Sequence, residues 1–418
     1  MLKKIQKALI ALVIFGQLCA QGFYLPGITI FPLYLILLII LSFISVARWL
    51  IEKDFKLTIS ACNKIPAIFI FSILNIIVVS VLNNAFEISN IGLVACSMLL
   101  CLACYQIIDD EDDINYLFKV YIFVVFISSL VEIGQVFGNS LCTEIWFFLH
   151  ADEKIIGALT ASRFLGLGSS ALAFAYAVSS ALIVTIFVRY KHANLIIKTI
   201  FSGVFFFALV TNNTRSAWIG VAIAVLIWLF IYTPENKSNL LLISRAFFFV
   251  LFVAVLFMFV LGVDLFAGSR FENISDSASS MSRIPMIMTA FNHALHNPLG
   301  LGSYKVNPEL IVGADASTYS YVVNNTAHNI LGNCVANYGF LGLFLLITLY
   351  VKAMNLFKKQ FHNVIAQEYF LAAFLAMVVL LINSFFHNSY IFNGDLSSFV
   401  FLAIIMSMCK RNFFKEYC

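Results

Sequence analysis

Charge is what this chain has least of. Only 11% of its 418 residues are Asp, Glu, Lys or Arg, against roughly 25% in a soluble domain. That shortage excludes a water-soluble globular enzyme, a disordered chain and a basic nucleic-acid binder. Metal-ligand spacing is also missing. Nine cysteines are present, but Cys101 and Cys104 stand inside an apolar run with no His beside them. They read as small buried hydrophobes, as do Cys19, Cys96 and Cys409. The acids Asp264, Glu272, Asp276 and Asp315 are scattered rather than paired, which argues against a divalent-metal site. No long internal repeat is visible, and that disfavours a transporter built on duplicated halves.

What the chain does have is apolar sequence. Hydrophobic residues make up 62% of it, and the mean hydropathy is +0.97. The runs are continuous. A membrane β-barrel would instead alternate apolar and polar residues over about 10 positions. A helical span needs about 20 apolar residues. On that basis the sequence predicts an all-α, polytopic membrane protein of about 12 spans. They fall near 6–22, 28–47, 66–83, 89–107, 115–136, 170–188, 194–211, 216–232, 246–264, 331–351, 366–386 and 396–409. Met1-Leu2-Lys3-Lys4 before the first run resembles a signal peptide, but an uncleaved first helix is expected.

Orientation follows from the Lys and Arg residues in the loops. With the N-terminus in the cytoplasm, all but six of the 25 basic residues are cytoplasmic. The six on the outer side are Lys154, Arg163, Arg215, Arg270, Arg283 and Lys305. This predicts N-in and C-in. The acidic run Asp109–Asp113 is then a solvated cytoplasmic loop. Two long loops, 137–169 and 265–330, face outward. The chain therefore divides into spans one to nine (1–264), a large periplasmic loop subdomain (265–330) and spans ten to twelve (331–418). Within that loop, Ile284, Met288, Phe291 and Leu295 share one helical face. Pro285 suits the first turn of this helix, near an N-cap serine. Asn297-Pro-Leu-Gly-Leu-Gly-Ser303 reads as a tight turn.

So few polar residues remain that each can be weighed. Arg215 lies in the polar break Thr211-Asn-Asn-Thr-Arg-Ser216. A guanidinium near hydrocarbon normally faces a cavity or a partner, although it can also snorkel to lipid phosphates. Arg163 precedes span six. Arg283 stands near the N-terminus of the loop helix, where free N–H groups favour an anion. Each of these two also fits a solvated loop. His328-Asn329 precedes span ten, followed by Gly339 and Gly342. A lone histidine there is more often a cap or packing residue, and the glycines fit a simple helix break. Taken together, arginines and a histidine on one face suit a lipid diphosphate. A planar guanidinium matches phosphate oxygens, and an imidazole accepts a proton near neutral pH.

The combination of Asn213-Thr214-Arg215-Ser216, Ser282-Arg283, Asn297-Pro-Leu-Gly-Leu-Gly302 and His328-Asn329 resembles the O-antigen ligase and polymerase superfamily. His328-Asn329 followed by Gly339 and Gly342 is similar to the ligase signature. Arg163-Phe-Leu-Gly166 is also similar to the family. The likeness covers roughly 160–345 and the span count. It implies a glycosyltransferase of the C type in the bacterial inner membrane, with its active site facing the periplasm. The donor would be an undecaprenyl-diphosphate-linked glycan. The acceptor would be lipid A-core for a ligase or a second lipid-linked repeat for a polymerase. By carry-over, His328, Arg215 and Arg283 are catalytic, while Arg163, Asn329 and Arg270 bind substrate. No cofactor, metal or nucleic acid is implied, and membrane lipids are the surroundings. Transfer would be metal-independent and inverting. No Arg, ten residues, Gly pattern of the polymerase type occurs at these arginines, which tilts toward a ligase. A protein O-oligosaccharyltransferase and a polysaccharide flippase are the remaining alternatives. Glu132 is almost the only ionisable residue deep enough in a span to serve the flippase reading.

Overall fold

In hydrocarbon a backbone has no water to bond, so an apolar run must close its hydrogen bonds within itself. A helix does this. The computed structural model describes residues 2–25, 28–52, 64–84, 88–150, 164–187, 195–212, 214–231, 281–325, 327–364, 367–387, 390–393, 395–410 and 413. Its helices are α1 (Leu2–Cys19), α2 (Leu33–Glu52), α3 (Ile65–Leu82), α4 (Ile88–Ile107), α5 (Glu111–Val136), α6 (Ser140–Leu149) and α7 (Ala171–Phe187). They continue with α8 (Leu195–Asn212), α9 (Arg215–Ile231), α10 (Arg283–His296), α11 (Tyr319–Asn324), α12 (Ile330–Gln360), α13 (Gln367–Ser384) and α14 (Leu396–Ser407). One short antiparallel hairpin, β1 (Tyr24–Leu25) with β2 (Ile28–Pro32), departs from the all-helical expectation. The predicted ninth span, 246–264, lies outside the described residues. Each other predicted span overlaps a helix, although 28–32 at the start of the second form β2. Five stretches, Leu33–Ile51, Ile65–Leu82, Glu111–Val136, Ile330–Gln360 and Gln367–Ser384, are long and apolar enough to cross a bilayer. The chain is a multi-pass helical membrane protein.

The centre of the bundle is α13. It is buried without a break from Tyr369 to Leu380 and packs against α7, α9 and α14. Peripheral helices instead turn large apolar side chains outward, such as Phe43, Phe71, Ile196 and Phe344. A bilayer, unlike water, imposes no cost on that exposure.

The long helix α12 is kinked at Gly339 (φ 69°, ψ −173°). That backbone region is essentially open to glycine alone. The reason for the kink lies in the Asn297–Gly302 turn, which docks into it. Leu301 N–H donates to Ala336 O (2.9 Å), Gly302 N–H to Asn337 O (2.8 Å) and Phe340 N–H to Pro298 O (3.1 Å). A Cβ on Gly339 would stand 2.3 Å from Pro298 O. The Pro-Leu-Gly-Leu-Gly turn and the distant Gly339 are thus two halves of one joint.

Helix α10 packs along α12. Its packed face consists of Pro285, Met286, Thr289, Ala290, His293 and Ala294. The apolar set recognised in the sequence is the other face: Ile284, Met288 and Leu295 are exposed. Small residues admit the close contact with α12. A Cβ on Gly332 would come within 3.3 Å of Ala290 Cβ.

At one end of the bundle the acidic run is also more ordered than a solvated loop. Asp110 caps α5, accepting from Asp113 N–H at 2.9 Å. The buried Asp113 pairs with Lys3 (2.7 Å) and Lys7 (2.6 Å) of α1, and Asp109 with Lys3 (2.7 Å). Carboxylates at a helix N-terminus complement its partial positive charge, and the lysines of α1 cross directly over them.

Candidate functional site

Arg215 and Arg283 occupy the same structural position: each is the first residue of its helix, α9 and α10 respectively. The first N–H groups of a helix have no partner further along it; here Ala217 N–H donates to Thr214 O and Pro285 has none to give, so the first two residues of each helix supply the donors. A guanidinium placed there adds a full charge to a ready anion site. The polar break before α9 is fixed from behind. Thr214 Oγ1 donates to Asn212 Oδ1 (2.5 Å), and Asn212 Nδ2 donates to Phe164 O (2.9 Å) and Ala171 O (3.1 Å). This staples the start of α9 to the start of α7.

Arg283 is held by the last turn beyond α13. Its Nη1 donates to Phe386 O at 3.1 Å, and its guanidinium lies 5.5 Å from the centre of the Phe386 ring. Neither contact neutralises it. Its charge is felt at Arg215, His328 and His387, so these groups face one region.

His328 is placed by its neighbour. Asn329 caps α12: its Oδ1 accepts from Leu331 N–H (2.9 Å) and Gly332 N–H (3.2 Å). Its Nδ2 donates to Phe385 O (2.9 Å). The amide expected to bind substrate is therefore engaged by the protein, and it pins His328 against the end of α13. His328 Nδ1 is buried with no hydrogen-bond partner among the described residues. Burial and the nearby Arg283 charge hold the imidazole below its usual value, in the neutral form.

Three further features belong to the cluster. The turn Phe385-Phe386-His387 receives both Asn329 and Arg283 through its carbonyls. Tyr176 of α7 lies edge-on to His387 at 6.0 Å, and its hydroxyl is 3.4 Å from Ser216 Oγ, beside Arg215. Finally, Asn329, Asn333 and Asn337 form a ladder at four-residue spacing on α12. Asn337 Nδ2 donates to Asn333 Oδ1 (2.9 Å), Tyr390 hydroxyl donates to the same oxygen (3.1 Å), and Asn337 Oδ1 accepts from Tyr304 N–H (2.8 Å). The four-residue spacing was available as a clue, since it places all three on one helical face.

A polar cavity of about 160 Å³ opens beside this cluster and shares Tyr176 with it. Gln17, Gln21, Ser170, Ser384 and Asp395 also line it. Arg163 and Arg270, the two remaining arginines read as substrate-binding, lie outside the described residues. Arg215, Arg283, His328 and Asn329 are brought together.

No curated protein matches the chain. Residues 200–347 match the family model described as O-antigen ligase, so the stretch that carries Arg215, Arg283, His328 and Asn329 is O-antigen ligase-like, as its motifs imply.

Proposed function

We propose that the chain is a glycosyltransferase of the bacterial inner membrane, with N- and C-termini in the cytoplasm and its site open to the periplasm. It moves a glycan from undecaprenyl diphosphate to lipid A-core. The observation that carries this reading is that two helix-first arginines lie near a histidine whose buried Nδ1 has no hydrogen-bond partner among the described residues. Buried polar atoms in folded proteins are normally satisfied, so an orphan beside fixed cations marks a place for a ligand. The arrangement of 1–264, 265–330 and 331–418 as spans, outer subdomain and spans belongs to the same proposal.

The chemistry follows from the residues. The acceptor hydroxyl oxygen attacks the anomeric carbon while the bond from that carbon to the diphosphate oxygen breaks. The electron pair leaves on the diphosphate. Arg215, Arg283 and the N–H groups of their helices stabilise that developing charge, and such preorganised charge is often the largest catalytic contribution. Neutral His328 takes the hydroxyl proton. Direct displacement inverts the anomeric configuration, and the arginines take the part a divalent metal would otherwise play. Arg163 and Arg270 remain candidates for further phosphate or glycan contacts. The hydroxyl-, amide- and carboxylate-lined cavity beside Tyr176 suits the sugar, because it carries acceptors for hydroxyl groups rather than cations for phosphate.

Deleting the gene tests the reading. Loss of the whole O-antigen ladder, with lipid-linked polymer accumulating, is the expected result. Core carrying a single repeat would make the chain a polymerase. Unglycosylated pilin with intact lipopolysaccharide would make it a protein O-oligosaccharyltransferase. His328→Ala should abolish transfer while the chain still inserts in the membrane; full retained activity would remove His328 from the mechanism.

A further inference from the structure

His387 belongs to no motif recognised in the sequence, yet it stands where the elements of the site meet. Its imidazole lies nearly parallel to that of His328, with 17° between planes and ring centres 5.8 Å apart. Behind it, Tyr176 of α7 meets it edge-on. Its own turn beyond α13 supplies the carbonyls that hold Asn329 and Arg283. His328 is therefore fixed twice by this turn, once through the side-chain amide of its neighbour Asn329 and once through its ring face.

We propose that His387 is the positioning residue of His328: an uncharged ring that sets the plane of the His328 imidazole and shields it from water. The proposal rests on the glycosyltransferase reading only for what His328 then does. The groups facing the pair are Arg283 from α10 and Tyr176 from α7, with Arg215 of α9 within reach of the Arg283 charge. Burial, then His328, then Arg283 push His387 down to about 4. The pair accordingly takes one proton before it takes two. Across the range where His328 serves as a base, His387 stays neutral. A second cation in the stack would repel both His328 and Arg283.

The contact with His328 is made by the ring face, and this separates two variants. In His387→Phe the ring remains. In His387→Ala it is lost, so water reaches His328 and its imidazole can rotate. The full-length protein in detergent micelles is treated with diethylpyrocarbonate across pH 4–8. Modification of His328 is then followed by peptide mass spectrometry. The wild-type midpoint should lie below the usual histidine value of about 6.5. His387→Ala should move it up toward that value, and His387→Phe should leave it in place. Transfer of lipid-linked glycan should fall on the order of 10- to 100-fold in His387→Ala, in kcat rather than KM, because a misplaced base costs rate. His387→Phe should restore most of it. An unmoved His328 midpoint in His387→Ala overturns the proposal. So does a folded His387→Phe protein as inactive as His387→Ala, since His387 would then act through its nitrogens. The titration needs no donor, so a chain that transfers no glycan at all would sink the proposed function and still leave the pairing tested.

Discussion

Two polar regions among the described residues treat charge in opposite ways. At the α1–α5 end, Lys3 and Lys7 meet Asp109 and Asp113 at 2.6–2.7 Å, and Lys410 approaches Asp109 at 3.4 Å. Buried amides continue the pattern: Gln6 donates to Gln106 (2.9 Å), and Arg48 donates to Gln6 (2.8 Å). At the α9–α10 end, cations gather instead. Arg283 rests on a carbonyl and a ring, and two histidines beside it are held neutral. Paired charges at a boundary are structural and add little beyond stability. Gathered like charges raise the energy of the folded chain. Such an arrangement is best accounted for by an anion that completes it. The difference separates an end where opposite charges pair from an end where, among the described residues, cations lie near one another, and the second is where the proposed chemistry is placed.

The comparison breaks most sharply at Arg283. Arg283→Ala should lower glycan transfer on the order of 10²–10³-fold, whereas Asp113→Asn should change it by less than threefold or so. Equal losses from both, measured on purified protein in vesicles, would erase the distinction between the two ends. Arg215→Lys comes next, with an expected drop on the order of tenfold, because an ammonium lacks the planar fork. Full activity in that variant would reduce Arg215 to a screening charge.

Stability effects are smaller and sort the other way. Gly339→Ala should lower stability in detergent by at least about 2 kcal/mol, since a side chain at that φ is strained and its Cβ meets Pro298 O. An unfolding midpoint equal to wild type would mean that the Asn297–Gly302 turn does not depend on the kink. Asp113→Asn should cost about 1–3 kcal/mol, the range between an exposed and a buried pair. Finally, acid should weaken the cation-rich end. His387 binds its proton near 4 when folded and near 6.5 when unfolded, so the unfolded state gains the proton first as pH falls. Stability present at pH 7 should then decline between about pH 6.5 and 4, by up to about 3 kcal/mol. His387→Phe should reduce that slope, leaving the share carried by the other lowered histidines, His328 among them. An unchanged slope would place the acid sensitivity elsewhere.

Much of the site could be read before folding was considered. Arg215, Arg283 and His328 stand out because a chain with so few charges leaves each polar residue conspicuous. The Pro-Leu-Gly-Leu-Gly turn is visible as a turn, but its partner is not. Gly339 follows it by 37 residues from Gly302 in sequence, and nothing in either segment names the other. The α10 face shows a different limit. Periodicity finds Ile284, Met288 and Leu295 on one side, but it cannot tell which side packs. Close packing on α12 selects small residues, Ala290 and Ala294, over the larger apolar ones. Phe385-Phe386-His387 has no signature in the sequence because two of its four contributions are backbone carbonyls, which every residue possesses, and the other two are rings with no motif around them.

The sequence by itself determined the solvent, the helical runs and the short set of polar residues available for chemistry. These follow from composition and spacing, since hydrocarbon allows a long apolar run little besides a helix. Only the tertiary structure decided which polar residues meet. It brought the starts of α9 and α10 to the end of α13, gave Asn329 a capping task and set His387 against His328. Those contacts join residues far apart in the chain, and their energies come from geometry that no local pattern encodes.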